Sequence, residues 1–250
     1  MSVRTVCALL ACFVAAEGAD RTILAVGGHA GDMEIAAGAV LAKHKRMGDR
    51  VVLLHLSLGE NGNPKMPPRQ YGEQKRREAE EAAKLLGAEV LFGPYKDGEV
   101  PVSDEAARYV AGVIRQVQPT HVLTHWKNSI HRDHTAARRV TADAVLLASL
   151  EGFVTDQPRW RGVRGVYYTD NWEDPEGFQP YVLVDVSDDI ETWKSAVNRY
   201  EFIRGGVSSF RYLDYYLALS TVRGALSGKK AAVAFDIEAS GKKRVLEYLP

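Results

Sequence analysis

The sequence predicts an α/β fold, a Rossmann-like three-layer sandwich around a mostly parallel sheet. Three observations predict it. Short continuous apolar runs such as Val51-Val-Leu-Leu-His-Leu56 alternate with longer helix-periodic segments. Such runs suit strands buried on both faces, as parallel sheets are. Connections between the two kinds of segment are short, and no Pro-rich or polar linker divides the chain. At 250 residues the chain buries a core large enough for one such domain.

The first 20 residues read differently. Arg4 precedes the run Val6 to Ala16, which is too short to span a bilayer and ends in the small-x-small pattern Val14-Ala-Ala16. Residues 1–20 are therefore expected to be a signal peptide, and the mature protein secreted or periplasmic. The alternative is an N-terminal extension of a cytoplasmic protein. Residues 21–250 are expected to form a single domain. Both cysteines, Cys7 and Cys12, lie in the leader. A metal site in the remainder must then use histidine and carboxylate. Lys plus Arg and Asp plus Glu each number 32, so no charge excess points to nucleic acid or to an obligate membrane partner.

Thr22 to Val26 reads as the first strand, β-branched and ended by glycines. Glu34 to Met47 reads as a helix closed by Gly48, and Val51 to Leu56 as the second strand. The Gly- and Pro-rich loop from Ser57 to Pro68 leaves that strand at the edge where open α/β sheets bind ligands. Tyr71 to Leu86 is a charged helix. Ala79, Ala82, Ala83 and Leu86 form its inner face, Glu73 and Arg77 an exposed pair, and Lys75 to Arg77 a solvated cationic run. Glu89 to Phe92 is a third strand, whose following loop aims Asp97 at the same sheet edge. Ser103 caps a helix to about Val117. Thr120 to Thr124 is a fourth strand and Thr135 to Leu150 a helix. Val163 to Thr169 and Tyr181 to Asp185 are later strands, and Asp188 to Ile203 and Phe210 to Leu226 are helices split at Gly205-Gly206.

Two clusters carry chemistry. Ala25-Val-Gly-Gly-His-Ala-Gly-Asp-Met-Glu34 brings His29 and Asp32 to one strand end, and Gly27, Gly28 and Gly31 permit a tight turn. His125-Trp-Lys-Asn-Ser-Ile-His-Arg-Asp-His134 leaves another strand end. His29, Asp32 and His134 make a His₂-carboxylate set, which suits an open hydrolytic zinc site and also Fe²⁺ or Mn²⁺. His131 and His134 share a face if a helix begins there, with Asp133 beside its positive end. His44, His55 and His121 read as structural. Trp126, Tyr95 and Tyr71 offer faces on which a sugar stacks, or else they pack. The glycine turn lacks the Gly-x-Gly-x-x-Gly spacing of dinucleotide binding, and no acidic residue ends the second strand.

These motifs resemble the PIG-L/LmbE-like de-N-acetylases. Gly28-His-Ala-Gly-Asp-Met-Glu34 with Ala37-Gly-Ala-Val-Leu41 is similar to the family's first motif. Leu58-Gly-Glu-Asn-Gly62 is similar to its second-strand loop, and Asn128-Ser-Ile-His-Arg-Asp-His134 to its Asn-Asp-x-His-Pro-Asp-His. The resemblance runs from about Ile23 to Phe235. It implies zinc on His29, Asp32 and His134, with His131 stabilising the oxyanion and protonating the leaving amine and Asp133 orienting it. Asn128, Asp97, Trp126 and Glu60 are the expected substrate contacts. The implied reaction is removal of an acetyl group from an N-acylated amino sugar or glycoconjugate by metal-activated water.

The chain departs from this pattern at the family's general base, where it has Gly31. Loss of a positioned base costs roughly 10²–10⁴-fold in rate. Ser129 replaces a family Asp, and Ala231-Ala-Val-Ala-Phe235 replaces an acidic C-terminal motif. Glu34 and Glu60 are the candidates to stand in for the base, although Glu34 matches a position the family already fills. The alternative expectation is a metal- and carbohydrate-binding protein without turnover.

Overall fold

The computed structural model describes residues 21–153, 156–173 and 176–242. The expected leader and both cysteines lie outside them. Its elements, in order, are β1 (Thr22–His29), α1 (Asp32–Arg46), β2 (Arg50–Ser57), α2 (Pro68–Leu86), β3 (Glu89–Phe92), α3 (Asp104–Val117), β4 (His121–Thr124) and α4 (Arg132–Ser149). There follow β5 (Gly165–Thr169), β6 (Val182–Asp185), α5 (Ile190–Val197), α6 (Tyr212–Leu226) and β7 (Ala232–Ile237).

The strands form one seven-stranded sheet in the order β3-β2-β1-β4-β5-β7-β6. The first five positions pair in parallel, and β7 runs antiparallel to both β5 and β6. The parallel part is covered on both faces. Ile23, Ala25, Val51 and Leu53 pack with α1, α2 and α5 residues such as Leu41, Leu86 and Trp193. Leu24, Val26, Val52 and Leu54 pack with α3 and α4 residues such as Ile114 and Val140. This alternation along β1 and β2 is why both strands read as unbroken apolar runs. The α/β sandwich with a mostly parallel sheet is therefore what the chain forms.

Several expected boundaries move for physical reasons. β1 continues through Gly27 and Gly28 to His29, so these two are strand residues. A Cβ on Gly28 would lie 3.2 Å from the Asp133 backbone and from His134 Cδ2, so its bare backbone lets α4 approach β1. Only Gly31 supplies the turn, at φ 104°. α4 begins three residues earlier than expected, with His131 as its cap: His131 Nδ1 accepts from the Asp133 N–H at 3.2 Å. On α2 the exposed pair is Arg69 with Glu73, not Glu73 with Arg77.

α5 stops at Val197 rather than near Ile203. Beyond it the chain turns inward, where the Tyr200 hydroxyl donates to Glu34 at 2.6 Å and the Glu201 N–H to Glu78 at 3.1 Å. Tertiary bonds outcompete helix continuation there. β7 is an element the periodicity of the sequence does not announce. Ser103 does cap α3, its hydroxyl accepting from the Ala106 N–H at 3.2 Å. Among the described residues no helix is long and apolar enough to cross a membrane.

Candidate metal centre

In an open parallel sheet the ligand crevice lies at the carboxyl ends of the strands, where the strand order reverses. Here that point is the junction of β1 and β4. β1 ends in His29, the next turn starts α1 with Asp32, and β4 is followed at once by His125. The loop after β4 leads into α4, whose first turn carries His134. Topology thus gathers residues over a hundred positions apart.

Three ligand atoms meet there. His29 Nδ1, His134 Nε2 and Asp32 Oδ2 stand at 3.2 Å from one another along all three edges. A tetrahedral ion with ligand bonds of ~2.0–2.1 Å separates its ligand atoms by about 3.3 Å. The triangle therefore fits a divalent ion of the zinc type, with two imidazoles and one carboxylate, and it opens onto a cavity of about 240 Å³.

The back of the triangle is braced. With Nδ1 turned to the ion position, His29 Nε2 carries the proton, and it lies 3.1 Å from Asp97 and 3.3 Å from Asp133. Such carboxylate–imidazole contacts fix ring orientation and raise ligand basicity. Asp133 is fully buried and also accepts from the Gly98 N–H at 2.6 Å and the Val100 N–H at 3.3 Å. Asp97 accepts from the Asn61 N–H at 3.0 Å, and Glu60 accepts from the Asp97 N–H at 3.0 Å. On the other side, His134 Nδ1 lies 3.2 Å from the Ser129 hydroxyl and 3.3 Å from Glu173. Where the resemblance expects an Asp at position 129, Glu173 from the loop after β5 brings the carboxylate instead.

Three other groupings share these residues, one of them His29, His131 and His134. His29, Asp97 and Asp133 converge through His29 Nε2. Both oxygens of Asp133 are held by the Gly98 and Val100 N–H groups, and Asp133 does not reach the cavity wall, whereas Asp97 turns Oδ1 to His29 and accepts from Asn61 at Oδ2. Asp32, His125 and His134 also converge. His125 Nε2, however, accepts from the Gly28 N–H at 3.0 Å, which uses its lone pair. Burial, reinforced by His134, pushes His125 down to about 4, so it is neutral at pH 7. Its ring stacks on His134 at 4.0 Å.

The electrostatics follow this geometry. Burial opposes charge on Asp32, but His134 and His29 hold its carboxyl well below the usual range. Against the same burial, Asp32 first and then Asp133 and Asp97 raise His29 well above 6.5, and Asp32 raises His134. Half-exposed His131 is lowered, by burial and then by the charges on His29 and His134. It lines the cavity, with Nε2 3.9 Å from Asp97. The Asp133 carboxylate points to His29, and Asp133 meets His131 through its backbone N–H.

Three expected substrate contacts lie off the cavity wall. Trp126 is buried, donates its indole N–H to the Glu176 carbonyl at 2.9 Å and packs edge-on to Tyr168 and Phe178. Asn128 donates to the same carbonyl, and Glu60 is spent on Asp97. Asp97 and Tyr71 do line the cavity. So does Lys75, which corrects the reading of Lys75 to Arg77 as one solvated run. Lys75 is 4% exposed, on the inner stripe with Tyr71 and Ala79. That spacing of four was the available signal. His125 and Glu173 had none beyond their place after strands.

The fold and site define an α/β protein with a candidate His/Asp metal centre at the switch point of its sheet. Residues 24–145 match the family model "PIG-L: GlcNAc-PI de-N-acetylase", and this segment is a PIG-L family domain. The chain is 30% identical over 142 residues to a 4-oxalmesaconate hydratase of Pseudomonas putida, covering 54% of this chain and 55% of that protein. It is 30% identical over 171 residues to a 1D-myo-inositol 2-acetamido-2-deoxy-alpha-D-glucopyranoside deacetylase of Salinispora arenicola, covering 56% of each. The match thus spans about half the length of these curated relatives. In structure it is similar to the 4-carboxy-2-hydroxymuconate hydratase of P. putida KT2440, with TM-score 0.80, 24% identity, and coverage of 92% of this chain and 100% of that one.

Proposed function

We propose that the protein is a metal-dependent hydrolase that removes an acyl group, acetyl in the simplest case, from an N-acylated amino sugar or a related amide. The observation that carries this reading is the 3.2 Å triangle of His29, Asp32 and His134 opening onto the cavity. The deacetylases among the relatives support the acyl-transfer class. His29, Asp32 and His134 would hold the ion, and Zn²⁺ there would supply Lewis-acid polarisation of an acyl group and acidification of a water toward pKa ~7. Fe²⁺ and Mn²⁺ suit the same donors.

The chain's own residues do the rest. Asp97 and Asp133 keep His29 in the tautomer that leaves Nδ1 free. Ser129 and Glu173 do the same for His134 Nε2. His131, its pKa lowered by burial and by its neighbouring histidines and open to the cavity, is placed to take a proton released by the attacking water and hand it to the leaving amine. Gly31 gives no carboxylate for the opposite step.

A second reading is favoured by that same position and by the hydratase among the relatives. Adding water across an activated carbon–carbon double bond would draw on the same cavity residues and does not cleave an amide. The deciding experiment loads the purified protein with Zn²⁺ and follows acetate release from N-acetylhexosamines alongside hydration of unsaturated acids. Asp32→Ala serves as control. Acetate release that depends on Asp32 supports the first reading. Hydration without it supports the second, and neither, with metal and sugar retained, leaves a binding protein.

A further inference from the structure

The roles above leave one buried charge in the cavity unused. Lys75 projects from α2 to the cavity wall, where its ammonium donates to the Ala30 carbonyl. It otherwise faces the rings of Phe202, at 4.1 Å, and Tyr200, at 4.8 Å. Among the described residues no carboxylate reaches it at ion-pair distance. Burial brings its pKa down to about 8, against the longer-range charges of Asp32, Glu78, Glu34 and Asp97. Those charges have closer partners: Asp32 and Asp97 meet His29, Glu34 meets His55 and Tyr200, and Glu78 meets Gln74 and Glu201.

Gly31 is one reason why, among the described residues, no carboxylate meets this cation. A Cβ on Gly31 would stand 3.5 Å from Lys75 Nζ. A carboxylate at that position, as the resemblance expects, would sit against the ammonium. Glycine leaves the charge to the cavity. A buried cation is costly unless a counter-charge meets it. Ile35, Ala36, Trp172, Tyr212 and Tyr216 make the surrounding wall largely apolar and aromatic.

We infer that Lys75, uncovered by Gly31, is an anion-binding subsite, so that the substrate carries a carboxylate beside the group that reaches the His29–Asp32–His134 triangle. The substrate class is then a small acid: an N-acylated one for amide hydrolysis, an unsaturated one for hydration. This rests on the reading of the cavity as the substrate site. A charge-assisted bond from Lys75 to the carboxylate supplies both affinity and register.

The test uses binding, so that lack of turnover does not bear on it. Malonate, succinate and glutarate are titrated into the zinc-loaded protein, each against its monocarboxylate of equal length. At least one diacid is expected to bind about tenfold tighter than its partner, one carboxylate meeting the metal and the other Lys75. Lys75→Met is expected to remove that difference without changing zinc content or monocarboxylate affinity, and Lys75→Arg to keep it. Equal affinities in the wild type, or a difference that survives in Lys75→Met, overturn the inference.

Should Lys75→Met fail to fold, acetic anhydride labelling of the wild type, read at Lys75 by mass spectrometry, replaces it. The preferred diacid is expected to slow labelling and its partner not to, and equal rates overturn the proposal. Run without metal, where the diacid and its monocarboxylate are both expected to slow labelling at Lys75, the labelling also separates this inference from the metal-centre reading. Zinc that fails to bind would defeat that reading while Lys75 protection by the diacid persisted.

Discussion

Gly31 is the residue at which sequence and structure say different things about the same absence. Read from the motif, it is a missing base that an Asp would restore. In the structure its φ of 104° and a Phe202 ring 3.0 Å from the position of a Cβ show a site rebuilt around glycine. Gly31→Asp is therefore expected to lower stability by roughly 1–3 kcal/mol in urea unfolding, the cost of a side chain at a left-handed, crowded position. Wild-type stability in the variant would count against this packing. The convergence of the candidate ligands was legible, because His29, Asp32 and His134 follow strand ends. Lys75 was signalled only by its spacing of four from Tyr71 and Ala79, and α2 packs it against Tyr200 and Phe202.

The same residue scale fixes a pH dependence. His29 and His134 are raised by Asp32, against burial. In the metal-free protein, their protonated forms stabilise the fold below about pH 6.5, and that contribution is lost as pH rises through their raised values. Metal needs both rings unprotonated at the ligating nitrogen, so protons compete with it to a higher pH than they would at free histidines. Zn²⁺ affinity, measured by chelator competition from pH 6 to 9, is expected to tighten as pH rises. A flat profile would argue that these two rings do not hold the ion.

Among elements, α1 matters most, since it carries Asp32 into the site and Glu34 beneath it. Its position is set by contact with α5: Trp193 donates to the carbonyls of Glu34 and Ile35 at 3.0 and 3.1 Å. A Cβ on Gly38 would lie 2.8 Å from Trp193 Cδ1. Gly38→Ala should gain ~1 kcal/mol of helix propensity. Overpacking there costs about 1–3 kcal/mol. A net loss on the order of 1 kcal/mol in urea unfolding is expected, and a net gain would show that α1 and α5 can part freely. Helix and strand periodicity made α1 and β1 to β4 readable to within a few residues. The end of α5 was not readable, because it is decided by Tyr200 and Glu201 reaching across to Glu34 and Glu78. The strand β7 was hidden in a short Ala- and Val-rich run whose partners, β5 and β6, lie far back in the chain.

At the scale of the molecule, the parallel order β3-β2-β1-β4-β5 creates one switch point, and the described histidine and carboxylate clusters converge on it. Alternating apolar strands made that architecture legible, and the architecture brings together side chains 105 positions apart in the chain. The most direct test is an anomalous-diffraction map of crystals of the zinc-loaded protein, collected at the zinc edge. It should show one principal peak in contact with His29 Nδ1, Asp32 and His134 Nε2, facing the cavity. A principal peak between His29 Nε2, Asp97 and Asp133, or none at either place, would contradict the account.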